Sequence, residues 1–211
     1  MNLRFLGDVL DHWKGSIISR LSDAQLLHNL MVDQMATDFS QWGEIDHTIY
    51  AKLLMIERES IVPHAQELSG NRKAYVQEIL KYDGDLFLDP DTGICTNSQA
   101  GSEHLKATEL HAILDCAPER IVMVYQHNGR TGKMRARVVE VMFYVQQHGP
   151  GFHAYAYESA NTAMLFLCRK PERVDLIGAY FKQMLDWHSD RRISHWQSPA
   201  PGPQLMIHRK K

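Results

Sequence analysis

Cysteine is scarce in this 211-residue chain. Cys95, Cys116 and Cys168 are odd in number, far apart and without a CxxC pair, which excludes a disulfide framework and a thiolate zinc site. Reduced, partly buried thiols are expected. No apolar run reaches the roughly 18 residues that span a bilayer, and the polar start Met1-Asn2-Leu3-Arg4 does not read as a signal peptide. A cytoplasmic protein with no membrane partner is therefore expected. Charge of one sign is also lacking: the formal net charge of -2 excludes a globally basic nucleic-acid binder but not a local patch. No GxGxxG follows a strand, and P-loop and GxSxG motifs are missing, so dinucleotide, nucleoside triphosphate and serine-hydrolase chemistry lose their usual support. The twelve histidines form no HxxxH arrangement and are expected mostly at the surface or core edge.

The remaining composition, 44% apolar and 23% charged, is that of an ordinary globular protein. Its length suits one α/β domain over residues 1–197, followed by a loose, basic, Pro-rich tail over 198–211. Asp8 or Gly7 opens a helix with Leu10, Trp13, Ile17 and Leu21 at helical spacing. Residues 29–35 can form a short strand. Trp42 to Glu59 carries Ile45, Ile49, Leu53 and Ile56 as a second amphipathic stripe, and Arg72 to Tyr82 turns Tyr75, Val76, Ile79 and Leu80 inward.

Leu86-Phe87-Leu88 and Ile121 to Tyr125 read as solid apolar strands, with a helix capped by Thr108 between them. Such runs alternating with helices imply a mainly parallel sheet covered on both faces. A helix over about 136–146 precedes strands Phe152 to Glu158 and Ala163 to Cys168, which form an antiparallel hairpin at the sheet edge. Arg173 to Trp187 closes the fold as a helix.

In a parallel α/β sheet ligands bind beyond the carboxyl ends of the strands, which selects Asp89, Asp91, Gln126, His127 and Arg130. Two carboxylates at i and i+2 can share magnesium or manganese, or one can orient a hydroxyl or amine. An Asp-Pro-Asp-Gly turn bonded only to its own backbone accounts for the same residues. His127 lies beside a glycine-loosened basic loop in which Arg130, Lys133, Arg135 and Arg137 can meet phosphate oxygens. Asp8, Asp11 and Lys14 at the first helix form an acid-acid-base set that exposed helix charge explains equally well.

Three stretches, Gly7-Asp8-x-x-Asp11-x-x-Lys14, Leu88-Asp89-Pro90-Asp91-x-Gly93 and Tyr125-Gln126-His127-x-x-Arg130, resemble in kind and order the motifs of a bacterial protein family to which no activity is attached. More distantly, the strand-Asp-Pro loop, the next strand and the hairpin through Ser159-Ala160-Asn161-Thr162-Ala163-Met164 resemble the later half of Rossmann-like methyltransferases that modify adenine in 23S ribosomal RNA. That resemblance implies a Rossmann-like sheet, S-adenosylmethionine as cofactor, and Asp89-Pro90 at the catalytic Asp-Pro-Pro-Tyr loop. The chain departs from the pattern at Asp91 and Thr92, and no glycine-rich loop precedes the acidic strand.

An added carboxylate suits a metal, so the leading expectation is metal-assisted phosphodiester hydrolysis, nuclease-like, on nucleic acid or a nucleotide. Asp89 and Asp91, joined by Asp8 or Asp11, would hold the metal, His127 would act as general acid or base, and Lys14 and Arg130 would stabilise phosphate charge. Asp89→Asn should then abolish activity at little cost in stability. The alternatives are S-adenosylmethionine-dependent methyl transfer, or a methyltransferase-like fold serving as a binding protein.

Overall fold

The computed structural model describes residues 1–64, 68, 70–96, 101, 103–128, 133–185 and 193–197. Arg130 and the 198–211 tail lie outside them. Six α-helices and eight strands follow one another as α1 (Val9–Asp23), β1 (Met31–Asp33), α2 (Glu44–Leu54), α3 (Arg72–Ile79), β2 (Leu86–Leu88), β3 (Gly93–Ile94), β4 (His104–Leu105), α4 (Ala107–Cys116), β5 (Val122–His127), α5 (Met134–His148), β6 (His153–Glu158), β7 (Thr162–Cys168), α6 (Pro171–Leu185) and β8 (Ile193–Gln197). The main sheet has the order β1-β2-β5-β7-β6-β8. β1, β2 and β5 are parallel, with Leu86 between Met31 and Val122. From β5 onward the pairing is antiparallel. The protein is thus α/β on a mixed sheet.

Period-two alternation sends successive side chains to opposite faces, and the core divides accordingly. Leu86, Leu88, Val122, Val124 and Leu165 pack against α3, α4 and α5. Phe87, Met123, Tyr125, Met164 and Phe166 pack against α1, α2 and α6. The apolar runs were legible because β2 and β5 are covered on both faces.

Three expectations change. The hairpin β6-β7 lies inside the sheet, because Ile193–Gln197 adds an outer strand to β6. Thr108 does not cap α4: the helix begins at Ala107, and the Glu109 carboxylate accepts the Lys106 N–H at 3.0 Å. The first half of the stripe expected on α2 faces outward, with Ile45 75% and Ile49 41% exposed, while Leu53 and Ile56 are half-buried. The buried face carries His47, Tyr50, Ala51 and Leu54 instead. Of the described histidines, His47, His64 and His111 are buried and the others are half-buried or exposed. The three cysteines are free thiols, with Cys95 and Cys168 buried and Cys116 exposed. No described helix is long and apolar enough to cross a membrane.

α1 and α2 touch closely where Gly15 meets the end of α2, since a Cβ there would stand 2.1 Å from the Leu53 carbonyl oxygen. Only glycine permits that approach. It holds Lys14, the preceding residue, against the face of α2 that carries Tyr50.

Candidate functional site at the carboxyl ends of the parallel strands

Strand alternation puts Asp89, one step past β2, on the same sheet face as Phe87, beneath α1 and α2. Asp8 caps α1, its Oδ1 accepting the Leu10 and Asp11 N–H groups at 2.8 and 3.2 Å. That cap fixes where the helix starts, and from it Asp11 and Lys14 face inward; both are buried. Lys14 Nζ donates to Asp89 Oδ2 at 2.8 Å and to Asp11 Oδ1 at 3.1 Å. Tyr50 of α2 donates its hydroxyl to the same Asp89 oxygen at 2.7 Å, and Asp11 Oδ2 accepts the Gly7 N–H at 2.9 Å. The ammonium also lies 4.4 Å from the centroid of the Tyr125 ring on β5, a favourable cation–π geometry. Burial of Asp11 and Lys14 removes exposed helix charge as their explanation, and the tertiary bonds of Asp89 remove the self-bonded turn.

Asp91 belongs to a different set. Its Oδ2 accepts the Thr37 hydroxyl at 3.0 Å, and its Oδ1 lies 3.3 Å from the Met1 amine. That amine donates to the carbonyls of Gln34, Met35 and Asp89 at 2.8, 2.7 and 3.1 Å. Met1 therefore fills the space just past the ends of β1 and β2. His127 ends β5 half-buried, its N–H directed to the Thr92 carbonyl at 3.4 Å. Gln126 faces the other way and ties down the Asp-Pro loop, accepting the Ile94 N–H at 2.8 Å and donating to the Thr92 carbonyl at 3.1 Å. The basic residues expected in a loop sit at or in α5: Arg137 pairs with Glu140 at 3.0 Å and Arg135 with Glu158 at 3.3 Å.

A second buried carboxylate went unremarked in the sequence. Asp33 ends β1 and accepts the Tyr75 hydroxyl at 2.6 Å, His64 Nε2 at 2.9 Å and the Met35 N–H at 2.8 Å. His64 stacks on Tyr75, with centroids 3.7 Å apart. Beside it, Gln34 Oε1 lies 3.3 Å from His47 Nδ1. Tyr50, Gln34 and Asp33 could have been found only by noticing that buried faces of α2 and β1 carry hydrogen-bonding residues, a pattern indistinguishable from solvent exposure without the fold.

The two carboxylates raise the pKa of the groups that donate to them. Tyr50 and Tyr75 are pushed well above the ordinary tyrosine value, first by burial and then by the charges of Asp89 and Asp33. Lys14 is also raised, because the attraction of Asp89 and Asp11 outweighs the opposing effect of burial. Asp11 is raised by burial, with Lys14 opposing. A lysine or tyrosine whose pKa is higher when folded stabilises the fold below its unfolded value and loses that contribution as pH rises. For Tyr50 and Lys14 those reference values are 10.0 and 10.5. Urea unfolding between about pH 8 and 11 should show stability falling steeply above pH 10, and Tyr50→Phe should flatten the fall. A wild-type curve level through that range would contradict these shifts.

The donor set does not fit a divalent metal at Asp89 and Asp91. Asp89 Oδ2 is committed to Lys14 and Tyr50, and a dication shared with Asp91 would stand beside the Lys14 ammonium. Among the described residues no group of three or more His, Cys, Asp or Glu is arranged to hold a metal ion. S-adenosylmethionine fits no better: β1 is followed by Gln34-Met35-Ala36 without glycine, and Met1 occupies the adjoining space. The arrangement can instead present a rigid, internally hydrogen-bonded floor to a ligand. No family model, curated protein or solved structure matches this chain.

Proposed function

We propose that the protein is a binding protein built on a methyltransferase-like, Rossmann-like sheet, with a site for a nucleotide or nucleic acid at the carboxyl ends of β2 and β5. One observation carries this reading: Lys14 takes up both Asp11 and Asp89, and Tyr50 completes Asp89. A reacting acid or base needs a lone pair or proton turned toward its substrate, whereas the Lys14 ammonium and the Tyr50 hydroxyl are engaged within the protein and both bond the same Asp89 oxygen, Oδ2. The sheet order supports the fold analogy, since the strand followed by Asp89-Pro90 lies beside β5, and β7 runs antiparallel between β5 and β6. Trp13, half-buried and backed by Tyr157 at 6.0 Å, offers an aromatic surface on which a base can stack.

The test is fluorescence anisotropy with labelled short single-stranded DNA and RNA, run alongside incubation with magnesium, with manganese and with S-adenosylmethionine. Saturable binding with the oligonucleotide recovered intact and unmethylated is the expected result. Metal-dependent cleavage would restore phosphodiester hydrolysis through Asp89 and Asp91, and methyl incorporation would restore methyl transfer; either overturns the binding role, as does absence of binding.

A further inference from the structure

At the end of the sheet away from Asp89, several elements meet on one buried histidine. Arg169 follows β7, and that end of β7 lies beside the start of β5, where Leu167 stands opposite Val122. His111 of α4 is 6% exposed. Its Nε2 lies 2.8 Å from the Val145 carbonyl oxygen in the last turn of α5, and its Nδ1 lies 3.0 Å from Nη2 of Arg169.

A carbonyl can only accept a hydrogen bond, and a guanidinium can only donate one. The two contacts therefore fix a single state of the ring: the proton sits on Nε2, and Nδ1 offers a lone pair that only neutral imidazole has. The Nε2–H bond serves α5, because carbonyls in the last turn of a helix lack an intrahelical partner. The Gly149 N–H, which would otherwise reach Val145, goes to the Gln146 carbonyl at 3.3 Å instead.

The same two side chains hold the connection between α5 and β6. Arg169 Nη1 donates to the Pro150 carbonyl at 2.7 Å, while its Nε and Nη2 engage Asp115 of α4 at 2.9 and 2.6 Å. Gly149 lies against the ring, since a Cβ there would stand 2.8 Å from Nδ1, and Phe152 meets the ring edge-on with centroids 6.0 Å apart. The charged and titratable groups around His111 are Arg169, Asp115 and His148. Asp115 is taken up by Arg169, and His148 Nδ1 lies 2.9 Å from the Tyr144 carbonyl of its own helix. Burial, first among the causes, holds His111 below the ordinary histidine value; the Val145 carbonyl and Asp115 oppose it, and Arg169 and His148 add to it.

We infer that His111 is an acid-sensitive latch: neutral, it ties α5 and the 149–152 connection to α4, and a proton on Nδ1 sets an imidazolium against the Arg169 guanidinium and releases the connection. A histidine lowered on folding contributes stability above its unfolded value, 6.5, and that contribution is lost as pH falls.

Amide hydrogen exchange, corrected for the intrinsic rate at each pH, measures the local opening, and nitrogen chemical shifts of the His111 ring give its tautomer and titration. Exchange over residues 145–154 should quicken by about tenfold or more between about pH 7.5 and about pH 5, with β2 keeping its protection. His111→Gln keeps an N–H and an oxygen on one amide but cannot titrate, so the same stretch should change by less than about twofold. Arg169→Gln removes the opposing cation and should raise the titration midpoint of the ring. An Nδ1–H tautomer at neutral pH, a midpoint at or above 6.5, equal quickening in wild type and His111→Gln, or equal quickening throughout the chain would overturn the latch. The ring measurements need only the wild-type chain, so they decide even where a variant does not fold.

Discussion

Lys14→Met is expected to lower the unfolding free energy at neutral pH by about 3–5 kcal/mol, the range for breaking a buried ion pair by removing one partner. The methionine replaces the stem of the lysine closely, so little of the loss is cavity. What remains is two buried carboxylates, Asp11 and Asp89, that shared one ammonium at 3.1 and 2.8 Å. Without the cation each can be kept only by taking up a proton, so the deficit should shrink as pH falls and the carboxylates protonate. A double-mutant cycle with Asp89→Asn isolates the pairing: the two losses should be less than additive by more than about 1 kcal/mol. The same geometry revises the expectation that Asp89→Asn is cheap, because Tyr50 and Lys14 both lose a charged acceptor. Urea unfolding curves for the three variants measure all of this, and a Lys14→Met loss below about 1 kcal/mol would mean the lysine is solvated rather than buried.

Asp33→Ala should be of similar size, about 3–5 kcal/mol. It strands three donors at once, the Tyr75 hydroxyl, His64 Nε2 and the Met35 N–H, in a place where Asp33 and Tyr75 are essentially inaccessible. Asp33→Asn should recover most of it, because an amide oxygen still accepts from Tyr75 and Met35 while His64 can change tautomer to accept from the amide NH₂. Equilibrium unfolding gives the energies, and nitrogen chemical shifts of the His64 ring report the tautomer. Equal losses for alanine and asparagine would show that the carboxylate charge, not the count of hydrogen bonds, holds this cluster.

Both results concern groups that the sequence showed unequally. Asp11, Lys14 and Asp89 stood out by spacing and by position after a strand, and the structure brings them together. Asp91 and His127 stood out on the same grounds but lie elsewhere, Asp91 with Thr37 and Met1 and His127 farther along β5. Tyr50 was hidden by its own helix: Ile45, Ile49, Leu53 and Ile56 make a better apolar stripe than His47, Tyr50, Ala51 and Leu54 do. The weaker stripe is nevertheless the buried one, because Gln34 and Asp89 receive its polar tips. Asp33 was hidden by brevity, since a three-residue strand has too few side chains to show alternation. β8 was missed because its only apolar residues are Ile193 and Trp196, one for each side of the sheet, too few to show a pattern.

By itself the sequence determined the alternation of helices with apolar strands, the double-sided burial of β2 and β5, and the cap and register of α1. All of these follow from interactions within a few residues, where period and turn chemistry leave a local record. Only the tertiary structure decided that Lys14 fills the cation position between Asp11 and Asp89, and that Tyr50 completes Asp89. Lys14 and Asp89 are 75 residues apart, and their meeting depends on how two helices cross a sheet, about which neither local sequence carries any information.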